Sequence, residues 1–220
     1  MSYETQDFAP QFERDVAKHR MTVEHDDGVF RSVHFGEPGT GVYSFRLTTW
    51  PGHICISGDM GCYVLSRLPD MFEFCRASDD GGPGLYRISI GYWAEKLQAT
   101  DKSGKPERFS AERFEERIRE ALDEWIAEHE PDNGDRRQLE DELRDLVSLA
   151  VCDGEVPARD ALSRWNAPDT DRPLFSDTWE WSFDEWDTRW LWCCCAIQWG
   201  IREYDRAKAT QAPAGEVAGA

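Results

Sequence analysis

Between residues 21 and 66, apolar and polar positions alternate in short runs, and turn-forming residues separate the runs. Tyr43, Phe45 and Leu47 alternate with Ser44, Arg46 and Thr48, while Ile54 and Ile56 alternate with His53, Cys55 and Ser57. A period of two sends successive side chains to opposite faces of a strand, so one face is apolar and the other polar. Pro51-Gly52 suits a type II turn, because Pro presets φ and Gly accepts a positive φ; Gly58-Asp59-Met60-Gly61 supplies a second reversal. Residues 21–25 and 29–35 flank Asp26-Asp27-Gly28 and read as a hairpin. No connection is long enough for a crossover helix. The pattern therefore predicts an antiparallel meander of about five strands over residues 21–66.

Elsewhere the spacing becomes helical. Phe12 and Val16 mark a short helix over 10–20, after polar residues 1–9 that are expected to fray, and Pro69 opens one over 69–76 that buries Met71, Phe72 and Cys75. Residues 85–90 read as a short strand, and 92–99 as a short helix on Trp93 and Leu97. Phe114, Ile118, Leu122, Trp125 and Ile126 form one apolar stripe on a helix over 110–130. Asp135 and Gln138 have capping-box spacing and open a second helix over 135–151, with Leu139, Leu143, Leu146, Val147 and Ala150 as its stripe. The short, breaker-rich connection between them predicts an αα-hairpin. A short helix over 158–165 follows. Ser182 and Glu185 form a further capping box, after which Phe183, Trp186, Trp190, Cys194, Ile197, Ile201 and Tyr204 recur at helical intervals. Trp192, Cys195 and Trp199 add a second apolar line, so the helix over 182–206 is expected at the centre of the core. Residues 207–220 carry no periodicity and are expected to be a disordered tail. The fold class that results is α+β in a single domain over residues 1–206: an antiparallel meander packed against a C-terminal Trp-rich core helix and an acidic αα-hairpin.

Charge adds a second pattern. The net charge is −18 and the pI about 4.6. Residues 101–150 hold 16 Asp and Glu against 9 Lys and Arg, and residues 151–187 hold 10 against 3. Nucleic-acid affinity comes largely from Lys and Arg, so a direct nucleic-acid ligand is not expected. An acidic surface of this kind presents carboxylates to a basic partner, or imitates a phosphate backbone, although Glu–Arg pairs at i, i+4 also mark an ordinary solvated face. Seven Cys, an odd number, do not make a complete disulfide framework, and the first residues do not read as a charged and apolar signal segment, so a reducing, cytoplasmic setting is expected. No run of about 18 apolar residues exists, and no membrane span is expected.

Candidate chemistry gathers on the polar face of the meander. His53 and Cys55 are i, i+2 neighbours whose side-chain bases stand about 6–7 Å apart on one strand, from which a thiol and its base could be built. A half-buried packing thiol beside a turn-capping His fits the same residues. Arg46 could hold an anion such as a phosphate or nucleotide, walled by Trp50, with Ser57 and Asp59 at hand. The candidate catalytic residues are His53 and Cys55; the candidate binding residues are Arg46, Trp50, His53, Ser57 and Asp59. Cys193, Cys194 and Cys195 point about 100° apart on a helix and cannot converge on one ion, so neither a metal nor another cofactor is implied. Six of the ten Trp fall between 179 and 199 among acidic neighbours. They suit core packing, or a pocket for a cationic or ring-bearing ligand.

The blocks TTWPGHICISGDMGCYVLSRLPDMFEFCR (48–76), GYWAEKLQA (91–99) and WLWCCCAIQWGIREYD (190–205) resemble, in the same order, those of a group of uncharacterised proteins encoded by bacteriophages and prophages. The resemblance implies a phage or prophage origin, a cytoplasmic setting and an accessory role in infection; together with the segregated acidic surface and the lack of a completed catalytic motif, it leads us to expect a non-enzymatic binder of a host protein, for instance in counter-defence. It transfers no catalytic residue. The alternative is an enzyme or small-ligand binder that uses the polar face of residues 43–66.

Overall fold

The turns form where the breakers stand. In the computed structural model, which describes residues 3–76, 86, 88–102 and 104–211, Gly52 and Gly61 take positive φ of 79° and 120°. These reversals connect β3 (Phe45–Trp50), β4 (His53–Gly58) and β5 (Gly61–Ser66). Gly28, at φ 59°, does the same between β1 (Arg20–Asp27) and β2 (Phe30–Gly36). The fold is α+β, and the five strands expected over residues 21–66 form with a sixth added beyond them, in the order β1-β2-β3-β4-β5-β6, every neighbouring pair antiparallel. The added strand, β6 (Leu97–Thr100), sets Leu97 opposite Leu65. The helix expected over 92–99 is instead α3 (Ile90–Glu95) and stops short of it. The open edge of β5 offers unpaired N–H and C=O groups, and satisfying them outweighs one further helical turn. Of the strand expected at 85–90, Ile88 and Ser89 are not in a strand and Ile90 begins α3; the rest apart from Tyr86 lies outside the described residues.

The chain divides into two compact units, Met1–Pro106 with Asp187–Ala220, and Glu107–Trp186. In the first, one face of the sheet is the core. Val33, Leu47, Ile56 and Tyr63 form one cross-strand row, with Phe35 and Phe45 beside it, all buried. The C-terminal helix α7 (Thr188–Gln211) covers this face with Trp190, Trp192, Cys194, Ile197 and Ile201. Its approach is close at Gly200, where an added Cβ would stand 3.0 Å from Leu47 Cδ1 and 3.1 Å from the Phe35 ring. Helix α1 (Tyr3–Val16) lies against α7, Phe12 meeting Trp192 edge-on at 5.1 Å. It begins before the expected start at residue 10, taking in part of the segment expected to fray, and ends before residue 20.

Helix α7 starts at residue 188 rather than 182. Residues 184–186 form β8 (Asp184–Trp186), paired with β7 (Glu107–Phe109), and Ser182 Oγ accepts the N–H of Asp184. Asp187 caps the helix in place of Ser182, its carboxylate accepting the Arg189 N–H at 2.8 Å. The far end continues through residues 207–211, where the sequence predicts tail, and Lys208 forms an ion pair with Asp26. Residues 212–220 lie outside the described residues.

Charged groups fasten the edge of the same core. Arg31 points to the apolar face and makes two 2.9 Å bonds to Asp70, with side chains only 10% and 18% exposed. Its guanidinium lies 4.6 Å from the centre of the Phe72 ring on α2 (Met71–Arg76). Tyr204 donates to Asp26 at 2.7 Å, and Arg76 forks onto Asp205 through two 2.7 Å bonds. Burial alone would raise the Asp70 pKa, but bonds from Arg31 and the Phe72 N–H outweigh it, and the pKa falls below the ordinary carboxyl value. Asp26 is lowered in the same way, burial being outweighed by Lys208 and Tyr204.

The second unit is helical. Ser110 caps α4 (Ala111–His129), and Asp132 caps α5 (Asn133–Asp153) by accepting the N–H groups of Gly134 and Asp135 at 2.7 and 3.0 Å. The cap stands three residues before Asp135, where the sequence had placed it, because the Asp132 carboxylate reaches both free N–H groups. Helix α6 (Glu155–Ser163) follows, somewhat before its expected span. Phe114, Ile118, Leu122, Leu139, Leu143, Leu146, Leu162, Trp165 and Phe183 form the core. This unit carries 24 Asp and Glu against 10 Lys and Arg, a net −14 of the chain's −18.

Trp190 is 0% exposed, and Trp190→Ala is expected to cost about 3–5 kcal/mol, read as a large drop in melting temperature. A melt within a degree or two of wild type contradicts α7 as the core of the first unit. Groups whose folded pKa is lowered stabilise above the unfolded carboxyl pKa of about 3.9 and lose that contribution as pH falls through their folded values. Asp70→Asn leaves Arg31 without its carboxylate and should cost about 3 kcal/mol at neutral pH. Below pH of about 4 its stability should fall less steeply than wild type; parallel acid melts contradict the assignment.

Candidate functional site

The residues singled out from the sequence fall into four separate arrangements, three on the polar face of the sheet and one in the β4–β5 turn. Arg46 and Ser57 are direct cross-strand partners, as are Trp50 and His53. Arg46 is engaged: its Nε and an Nη donate to Glu24 at 2.9 and 2.7 Å. The Arg46 hydrogen bond, helped by Ser32, lowers the Glu24 pKa. The strand irregularity between Val23 and His25 places Glu24 on this face. His53 stacks on Trp50 at 5.0 Å with ring planes 8° apart, and its Nδ1 is 3.1 Å from the Pro51 carbonyl oxygen. An Nδ1–H tautomer donates there and caps the turn. Asp59, in the β4–β5 turn, accepts the Tyr43 N–H at 2.8 Å.

Cys55 finds a sulfur rather than an imidazole. Its Sγ lies 3.8 Å from Sγ of Cys62, the diagonal neighbour on β5. Burial first, then the Cys62 thiol, push the Cys55 pKa up to about 12, the direction opposite to that of an activated nucleophile. On α7, Cys193 and Cys194 are fully covered, and burial pushes both thiols well above the ordinary value. The six Trp between 179 and 199 divide between the two units: Trp190 and Trp192 are buried in the first, while Trp179 in the second is 76% exposed. Among the described residues, no group of three or more His, Cys, Asp or Glu could hold a metal ion, and no helix is long and apolar enough to cross a membrane.

The second unit holds concave surface that the sequence did not mark. An apolar recess of about 350 Å³ lies among Leu146, Leu149, Ala161 and Trp165, with Glu142 and Asp145 at its rim. A polar recess of about 500 Å³ shares Glu142 and Trp165 and is walled by Gln138, Asn166, Asp169, Thr170 and Asp171. The loop is held by its own backbone, Ala167 N–H donating to Arg172 C=O at 2.9 Å and Asn166 bridging Pro173. Between the recesses, Glu142 accepts the Trp165 indole N–H at 2.5 Å and the Gln138 amide at 3.0 Å. Arg164 lines the polar recess but is engaged by Asp160 at 2.7 Å. The signal in the sequence was Glu142 itself: it stands three residues after Leu139 and four before Leu146, an acidic residue at apolar-stripe spacing.

No family model, curated protein or solved structure matches the chain.

The geometry of Cys55 generates a labelling order. Cys152 is exposed, Cys55 and Cys62 are half-buried, and Cys75 and Cys193 to Cys195 are buried. With a maleimide at pH near 8, Cys152 should react first, and Cys55 should lag it by on the order of a hundredfold, because a thiol with pKa about 12 is almost wholly protonated there. Peptide mapping of labelled protein reads the order; Cys55 labelled ahead of Cys152 contradicts it.

Proposed function

We propose that the protein is a non-enzymatic binding protein that offers an acidic helical unit to a basic surface of a partner protein. The observation that carries this reading is the coincidence of charge and structure: net −14 falls on one compact unit with its own apolar core. On α4, Glu112, Glu116, Glu120 and Asp123 recur on the side opposite the stripe Phe114, Ile118 and Leu122, and all four are exposed. A field of one sign steers an oppositely charged partner and raises its association rate. The resemblance to phage-encoded blocks suggests that the partner is a component of a bacterial host, and counter-defence is the role we assign to the pair.

The test is full-length protein immobilised and exposed to host lysate at low salt, with elution by salt. One dominant basic protein should be retained, and its association rate should fall on the order of tenfold between about 0.05 and about 0.5 M salt. The triple variant Glu112→Lys, Glu116→Lys, Asp123→Lys should lose a similar factor in association rate with little change in melting temperature. Retention of no protein, or retention insensitive to salt and to charge reversal, overturns the reading.

A further inference from the structure

The two recesses on either side of Glu142 differ in chemistry but share a wall. One is lined by Leu146, Leu149, Ala161 and Trp165, the other by Gln138, Asn166, Asp169, Thr170 and Asp171. Glu142 and Trp165 belong to both. The Glu142 carboxylate is half-buried and held by two neutral donors, Trp165 and Gln138, and among the described residues no Lys, Arg or His lies within ion-pair distance of it. A carboxylate oriented this way presents its remaining lone pairs to the recess and favours a cation there. Asp145 on the apolar side and Asp169 and Asp171 on the polar side add the same sign of charge, while Arg164, which also lines the polar recess, is held by Asp160.

We infer that this double recess is the docking site for a cationic amphipathic helix of a partner protein. One apolar side chain enters between Leu149 and Trp165, and a Lys or Arg on the same face of that helix meets Glu142. Adjacent recesses require the two anchors to be neighbours on their own helix, which residues three or four apart satisfy. The occupant follows from charge complementarity with the net −14 unit around the groove. An anionic or purely apolar segment would leave Glu142, Asp145, Asp169 and Asp171 facing like charge or desolvated without a partner. The inference rests on the acidic-unit reading and adds to it a place, a binding mode and two anchor chemistries.

The experiment uses the full chain and two synthetic peptides of equal positive charge, one an amphipathic Leu/Lys helix and the other Lys interspersed with Gly and Ser. Binding is measured by calorimetry at low salt, and the indole N–H signal of Trp165 is followed by NMR with ¹⁵N labelling. The Leu/Lys helix should bind at least about tenfold more tightly than the Gly/Ser peptide and shift the Trp165 signal. Leu149→Asp should weaken the helix about tenfold, and Glu142→Gln, which keeps an acceptor for Trp165, should weaken it about fivefold or more. Both positions are only half-buried, and the wild-type Trp165 shift is a readout independent of either variant. If both peptides bind equally, without shifting Trp165 and indifferent to both substitutions, the groove is wrong and the acidic-unit reading stands. If neither peptide binds at low salt, both fail. Binding of free arginine alone at Glu142, with no gain from an apolar anchor, overturns the helix in favour of a small cationic ligand.

Discussion

Close contact between α7 and the sheet at Gly200 is the constraint on which the first unit depends. A Cβ there would push the Leu47 methyl and the Phe35 ring back by a few tenths of an ångström, and the glycine lets the helix take this depth without moving them. At that depth Trp199 meets Phe35 edge-on at 5.5 Å, and Trp192 meets Phe45 at 5.6 Å. The same depth accounts for Cys193, Cys194, Cys195 and Ala196, four small consecutive residues that are all buried. A helix covered on every side at mid-length needs small side chains where its neighbours crowd in. Three adjacent thiols are a consequence of packing rather than a sign of chemistry.

Much of the sheet was legible because two independent signals agreed, a period of two in the strands and Gly or Pro in the turns. β6 was hidden because Leu97–Thr100 is too short to show a period, and its identity depends on an edge that only the folded sheet creates. The start of α7 was misplaced because Ser182 and Glu185 have capping-box spacing, yet Asp187 offers an equally good cap. The choice is made by Glu107–Phe109, a strand far away in sequence that requires residues 184–186 as its partner. On the polar face, the pairs Arg46–Ser57 and Trp50–His53 follow from hairpin register and could be read from the turns. Glu24 as the partner of Arg46 could not, because an irregular strand places it there, and Cys62 beside Cys55 is a diagonal contact that alternation alone does not reveal.

The separation of charge places different demands on the two units. The first has only a slight acidic excess and uses its charges in directed pairs at the margin of the core, where Arg31, Asp70, Asp26, Tyr204 and Lys208 join β1, β2, α2 and α7. The second repels itself, and several of its Arg residues form local helix pairs such as Arg119–Glu115 and Arg159–Glu155. Its cohesion must come from the cluster around Phe114, Leu143, Trp165 and Phe183. Carboxylates are thus left on its surface in a density that folding alone does not require.

The order of the elements also has a consequence for synthesis on the ribosome. The strands β1 to β5 are joined by short links, yet the helix that covers their apolar face is not made until residues 188–211, after the whole second unit. Until then Val33, Phe35, Phe45, Leu47, Ile54 and Ile56 lack the helix that covers them in the folded chain. A chain ending before residue 188 therefore lacks the cover for its most apolar strand face, and the acidic segment that follows the sheet in sequence adds the net charge that favours keeping such chains apart.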